Sequence, residues 1–188
     1  MSKDFFITGI PTSGKSYLAE KLAKETGGVH VRIDDWREKE AGDPRFKQAI
    51  NFYLDQDEKT YYTTTTFDEQ WVNLVWQSEE LWPGIIEYIQ SFAGEARPVI
   101  FEGVNLLPHL VKRDLDWSGL CLIGTTFEET LRRNIADPRW GDTEELQKLE
   151  AESFFYGERP RYQAEAQKYG YSVFTSAEEA YPEVLKLL

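Results

Sequence analysis

The chain reads as an α/β fold built on a mainly parallel sheet, and three observations predict it. Short apolar runs alternate with segments of helical periodicity along the whole sequence, the order that gives parallel strands joined by right-handed crossovers. One run, residues 98–101 (PVIF), is apolar without interruption, as in a strand buried on both faces. The glycine-bearing stretch GIPTSGKS, Gly9 to Ser16, stands between an apolar strand and a helical pattern.

Residues 3–8 (KDFFIT) predict the first strand. From residue 15 to 25 the apolar side chains Tyr17, Leu18, Leu22 and Ala23 recur at helical spacing, and Gly27-Gly28 ends that helix. Residues 29–33 alternate and predict a second strand, with Asp34 and Asp35 at its carboxyl end. The stretch from 67 to 92 carries a long amphipathic pattern that Pro83 is expected to kink or split. Further strands are predicted at 98–101, 120–124 and 171–174. Helices are predicted at 127–135, from Thr143 onward and at 177–188, with a loop at 136–142 (ADPRWGD). No repeat, low-complexity tract or linker divides the chain, so one domain over 1–188 is expected. Within it, a helical insert spans about 35–95 and a lid about 133–160.

Composition narrows the function classes. The chain has 188 residues, 41% hydrophobic and 29% charged, enough to bury a core of ordinary globular type. No apolar run approaches the ~20 residues of a membrane span, and the N-terminus lacks a signal-peptide pattern. A membrane partner is therefore not expected, and a cytoplasmic location is. Cys121 is the only cysteine and reads as a small buried hydrophobe. The formal net charge of −12 disfavours a polynucleotide partner, whose phosphates need clustered Lys and Arg, while leaving a local basic patch open. Nothing in the sequence sets an oligomeric state.

GIPTSGKS matches G-x-x-x-x-G-K-[ST] at every fixed position and in the required strand–loop–helix context. Glycines let the backbone wrap a phosphate with its N–H groups turned inward. The helix that follows adds its positive end. Gly9, Pro11, Thr12, Ser13, Gly14, Lys15, Ser16 and Tyr17 are the expected nucleotide contacts, Lys15 toward the β- and γ-phosphates and Ser16 toward the bridging magnesium ion. No N-K-x-D or L-S-G-G-Q-like segment is present, which turns the reading from GTPases and transport ATPases to a small kinase.

Asp34 lies where an α/β sheet binds ligands, at the carboxyl end of a strand. There it is a candidate base for an acceptor hydroxyl, or a magnesium ligand through water. Asp35 reads equally as a helix cap. Arg37 is a candidate contact for the acceptor or the transferring phosphate. Glu102 ends the third predicted strand, the position that holds an acidic residue near magnesium in such folds, and Asn105 just beyond is a candidate acceptor contact. His109 reads as a surface or satisfied histidine. Arg132, Arg133, Arg139, Arg159 and Arg161 cluster in an otherwise acidic chain. Arginines brought over a transferring phosphoryl group by a lid offset its charge, and pairing with Glu128, Glu129 or Glu158 on exposed helix faces is the alternative.

The stretches GIPTSGKS, VRIDDWR, VIFEGVNLLP and TLRRNIADPRW resemble those of P-loop kinases of the nucleoside-monophosphate-kinase-like type. IDDWR is similar to the D-D-Y-R segment of polynucleotide 5′-kinases, and EGVNLLP to E-G-V-H-L-V-P of 2-phosphoglycerate kinases. Zeta-toxin-like and antibiotic kinases share the frame. The resemblance implies a three-layer fold with a five-stranded parallel sheet in the order 2-3-1-4-5, helices on both faces and an arginine-bearing lid. It implies ATP and Mg2+, Asp34 as the base and Arg37 on phosphate. It also implies Arg132 or Arg133 on adenine, with the loop 175–177 passing near the base. Polynucleotide kinases have an aspartate where Glu102 stands, and the chain lacks their phosphatase domain and basic surface.

The expected function is thus transfer of the γ-phosphate of ATP to a hydroxyl of a small metabolite. Lys15, Asp34, Arg37, Arg133 and Arg139 are the catalytic candidates. Ser16, Asp34 and Glu102 are the metal candidates, and Arg132 joins the nucleotide contacts. Phosphorylation of polynucleotide 5′-hydroxyls and non-catalytic nucleotide binding are the alternatives.

Overall fold

The computed structural model describes residues 4–186, so Lys3 of the predicted first strand and Leu187 and Leu188 of the predicted last helix lie outside the described residues. Five strands form one parallel sheet: β1 Phe5–Gly9, β2 Val29–Arg32, β3 Val99–Glu102, β4 Ser118–Leu122 and β5 Ser172–Phe174. Their order is β2-β3-β1-β4-β5, which is the order the resemblance implied. β1 is central, and its register sets Ile7 beside Glu102 of β3 and Thr8 beside Cys121 of β4.

Side chains alternate across the sheet, and each face is covered by helices. Phe5, Ile7, Ile100, Leu120 and Leu122 face α1 (Lys15–Thr26) and α10 (Ala177–Val184). Phe6, Val31, Phe101, Cys121 and Ile123 belong to the second core. That core packs on α2 (Ile33–Lys39), α3 (Lys47–Asn51), α5 (Phe67–Gln90), α6 (Pro108–Asp114) and α9 (Arg159–Lys168). Cys121 is fully buried there, and burial pushes its thiol up to about 12, so it packs as a hydrophobe. The remaining helices are α4 (Glu58–Thr64), α7 (Phe127–Ala136) and α8 (Glu144–Glu152). None of the described helices is long and apolar enough to cross a membrane.

Three elements differ from the sequence reading. β2 stops at Arg32, so Asp34 and Asp35 occupy the first turn of α2, where carboxylates favour the positive helix end. α5 runs unbroken through Pro83. Its start is fixed by a capping box: the Thr66 hydroxyl accepts from the Glu69 N–H, and the Glu69 carboxylate accepts from the Thr66 N–H at 2.8 Å. Beyond the proline, Gly84 admits the rings of Trp36 and Phe46 so closely that a Cβ would fall 2.5 Å from the Trp36 ring. That packing holds the helix through the one donor that proline lacks.

The third difference is the stretch from α8 to α9. It is one helical run joined by a π-helical turn, Ser153–Glu158, in which the Arg159 N–H reaches back to the Phe154 carbonyl. Pro160 follows at once, where its missing N–H interrupts the α-helical ladder.

Candidate active site

The loop after β1 holds the geometry its glycines permit. Gly9 has φ +125°, and a Cβ there would lie 1.9 Å from the Leu122 carbonyl oxygen, so no other residue fits. Gly14, at φ +97°, caps α1. Thr12 is also left-handed, at φ +61°, a rare conformation for a β-branched residue. Ser13 is buried and its hydroxyl donates to the Ile10 carbonyl at 2.8 Å, closing the loop.

Lys15 is buried beneath this loop, its Nζ donating to the carbonyls of Gly9 (3.0 Å) and Ile10 (2.7 Å). Burial lowers its pKa from the ordinary lysine value, while the carboxylates of Glu102 and Asp34 act in the opposite sense. Both acids predicted for the site are therefore within electrostatic reach of this one amine. The Ser16 hydroxyl donates to Glu102 Oε1 at 2.8 Å. His30 Nε2 and Arg32 Nε each stand 3.6 Å from the same oxygen. Burial pushes the Glu102 carboxyl up, but His30, Lys15 and Ser16 together hold it below the usual glutamate value.

Ser16 and Glu102 make a pair of hard oxygen donors at a helix N-terminus, which suits Mg2+. No group of three His, Cys, Asp or Glu that could hold a metal occurs among the described residues.

These groups lie along a cleft of about 1270 Å³. Pro11, Thr12, Gly14, Lys15, Ser16, Tyr17, Asp34, Arg37, Glu102, Arg133 and Arg139 all line it, whereas Gly9 and Ser13 support the loop from behind. Asp34 Oδ1 is buried and meets Arg37 Nη2 at 3.1 Å. The other side of the Arg37 guanidinium is 3.4 Å from Asn105 Oδ1. Asn105 itself is fully buried and donates to Ser78 Oγ (2.9 Å) and Gln77 Oε1 (3.3 Å) on α5. It is not the acceptor contact that the sequence suggested. It ties Arg37 to the insert.

The five arginines divide. Arg133 Nη1 donates to the Thr12 carbonyl at 3.0 Å while its Nε pairs with Glu129, so α7 holds it against the phosphate loop. Arg139 stands in the cleft near Lys15, 3.3 Å from Asp137. Arg132 shares Glu129 but points outward and is two-thirds exposed, outside the cleft lining. Arg159 donates to the Ile123 carbonyl at 3.1 Å and lies over the Phe155 ring. Arg161 bonds the Gly157 carbonyl and Asp68. The last three are held structurally, the pairing alternative in a different geometry. His109 is engaged by Glu165 at 2.6 Å, away from the cleft. Ala177, the first residue of α10, approaches the phosphate loop, 3.6 Å from where a Gly14 Cβ would sit.

For the far end of the cleft the sequence offers only a set of insert aromatics, most of them core and some able to line an acceptor pocket, with Tyr53, Tyr61 and Tyr62 among them and Trp140 outside it. Tyr53, Tyr61 and Tyr62 gather around Trp140, with ring centroids 5.9, 6.1 and 5.7 Å from it. Trp140 is held by Glu150, which is fully buried and accepts from the Trp140 N–H at 2.8 Å and from Asn134 at 2.7 Å. Glu158, on the π-helical turn, faces the same space.

No family model and no curated protein matches the sequence. Solved structures with the same fold do. Shikimate kinase from Acinetobacter baumannii, in complex with shikimate, aligns with TM-score 0.56 at 14% identity over 100% of this chain and 93% of that one. TT1252 from Thermus thermophilus aligns with TM-score 0.55 at 20% identity over 98% and 97%. Dephospho-CoA kinase from Campylobacter jejuni aligns with TM-score 0.50 at 14% identity over 100% and 96%. At these identities the likeness is one of fold.

Proposed function

We propose that the protein is an ATP-dependent phosphotransferase that moves the γ-phosphoryl group to a hydroxyl of a small metabolite. The observation that carries this reading is the convergence on Lys15. A buried amine sits beneath a left-handed glycine-bearing loop, and two carboxylates from different elements act on it at the floor of a large cleft. The kinase names of two of the fold's relatives support it.

In this reading the loop N–H groups and Lys15 hold the β- and γ-phosphates. Arg133 and Arg139 spread over the γ-phosphoryl oxygens and offset the charge that develops there. Ser16 and Glu102 would hold Mg2+, which would supply positive charge to offset that of the phosphates. Arg37 holds the Asp34 carboxylate in place. Asp34 accepts the acceptor's hydroxyl proton as that oxygen attacks phosphorus and the bond to the β-phosphate oxygen breaks, releasing ADP. Tyr53, Tyr61, Tyr62 and Trp140 wall the acceptor end, which suits a small molecule better than a nucleic acid strand.

The test is ADP production against a panel of hydroxylated metabolites, run on the wild type and Asp34→Asn. The variant is expected to bind Mg–ATP normally and to lose roughly 100-fold or more of the acceptor-dependent rate. A variant with full activity removes Asp34 from this role.

A further inference from the structure

The acceptor end of the cleft has a chemistry of its own. Tyr53 (after α3), Tyr61 and Tyr62 (α4) and Trp140 (between α7 and α8) present four rings to one space, and Tyr61–Tyr62 and Tyr53–Tyr61 centroids are 5.2 and 5.6 Å apart. The rings pack edge-to-face or tilted on one another, so they wall the cleft on one side and do not enclose a cage. An aromatic wall, with its negative π-faces, favours a cation over an anion. Glu158 enters from the π-helical turn, a widened turn of the kind found at functional sites.

Glu158 Oε2 is buried and has no hydrogen-bond partner among the described residues. Several other charged groups of the cleft have partners: Asp34 faces Arg37, Arg139 faces Asp137, Arg133 faces Glu129, Glu102 faces Ser16 and Arg32, and Glu150 accepts from Asn134 and the Trp140 N–H. Lys15 is the one cation that acts on Glu158, and it is bonded into the phosphate loop. The remaining groups that feel Glu158 are tyrosines: Tyr53, Tyr61, Tyr62 and, behind it, Tyr162 of α9. A buried carboxylate oxygen left without a partner is costly unless a ligand completes it.

We infer that the acceptor carries an ammonium group, which lies against the Tyr53–Tyr61–Tyr62–Trp140 wall of the cleft and pairs with Glu158 while its hydroxyl meets Asp34. The substrate class is a small amino-alcohol. The inference rests on the kinase reading for the hydroxyl but not for the ammonium site. Burial pushes the Glu158 carboxyl up to about 8, with Lys15 pulling it partly back. Held up in this way, Glu158 is expected to carry its proton near neutral pH and to give it up when an ammonium pairs with it.

Isothermal titration with Mg–ADP present tests the site, using choline and ethanolamine against their uncharged counterparts 3,3-dimethyl-1-butanol and 1-propanol. At least one amino-alcohol is expected to bind about tenfold or more tighter than its counterpart. Buffers of different ionisation enthalpy are expected to show release of up to one proton near pH 7. Glu158→Gln is expected to abolish both the preference and the proton release, with Mg–ATP affinity retained. Tyr62→Leu is expected to weaken the preference severalfold with the proton release retained. Equal binding of charged and neutral alcohols, no binding of either amino-alcohol to the wild type, or a preference that survives in Glu158→Gln overturns the inference. If the ammonium preference stands but no alcohol accepts phosphate, the transfer reading fails and the site does not. If neutral alcohols are phosphorylated as well as amino-alcohols, the reverse holds.

Discussion

The hydroxyl of Ser16 donates to the carboxylate of Glu102 across 2.8 Å, joining the first turn of the helix after the phosphate loop to the end of the neighbouring strand. The parallel register of β1 and β3, which aligns Ile7 with Glu102, makes the contact possible. Glu102→Gln keeps the shape and removes the charge. Mg2+ dependence of nucleotide binding is expected to weaken about 10-fold or more, the least that losing even an outer partner of a metal ligand brings. Magnesium titration of Mg–ATP binding checks it, and unchanged dependence removes Glu102 from the metal site.

Arg132 and Arg133 are adjacent in sequence and share Glu129, yet only Arg133 reaches the Thr12 carbonyl. Arg133→Ala is expected to lower the transfer rate by about 100-fold or more, the scale of losing one donor aimed at developing charge. Arg132→Ala is expected to change it less than about threefold, since exposed pairs contribute little. Steady-state rates with the two variants decide between the arginines.

Gly9→Ala puts a methyl group 1.9 Å from the Leu122 carbonyl in a backbone region that only glycine tolerates. A loss of about 3 kcal/mol or more is expected, from strain and overpacking together. Thermal or urea melts measure it, and a wild-type midpoint contradicts the geometry.

Asn105 links Arg37 to Ser78 and Gln77 from a fully buried position. Asn105→Leu leaves those partners unsatisfied and is expected to cost about 1–3 kcal/mol. It also frees Arg37, so kcat should fall further than stability alone explains while the affinity for Mg–ATP holds. Comparing the melt with the kinetics separates the two effects.

Glu158 gives the protein an unusual pH response. The unfolded chain loses this proton near 4.5 and the native state only near 8. Between those values the native state binds more protons, so this group's contribution to stability falls as pH rises and levels off above about 8. Glu58, pushed up to about 7 by burial and by Glu150, acts in the same sense. Urea melts at several pH values are expected to show the wild type losing stability relative to Glu158→Gln between about pH 5 and 8, by order of a few kcal/mol at about 1.4 kcal/mol per unit of displacement. Parallel curves for the two proteins contradict it.

The phosphate-loop end of the cleft was legible because its backbone demands are spelled out locally. Gly9, Gly14, Lys15 and Ser16 stand at fixed spacing between a strand and a helix. Asp34 and Glu102 were legible as acids following apolar runs. The acceptor end was legible only as a set of insert aromatics, some of which could line a pocket. Tyr53, the adjacent pair Tyr61–Tyr62, and Trp140 come from three places that only the tertiary fold brings together, and most aromatic residues in a helical insert read as core. Glu158 was hidden for a different reason. The π-helical turn adds a residue to one turn, so the helical phase counted from Thr143 assigns Glu158 to the wrong face. Pro160 was the visible sign that the ladder changes there. Of the five arginines, Arg133 and Arg139 line the cleft; Arg132 pairs with Glu129 at a helical spacing the sequence displays, whereas the contacts that take Arg159 and Arg161 are ones no spacing reveals.

Trp140 stands apart from the other five tryptophans. Trp36 and Trp82 are buried in the core beside the sheet, and Trp71, Trp76 and Trp117 pack against that core. Trp140 alone among them borders the cleft, stacked amid tyrosines that absorb at shorter wavelength and pass excitation to it. The molecule thus carries its own optical gauge. With the core indoles replaced by phenylalanine, emission from this single fluorophore would follow occupancy of the cavity without any label.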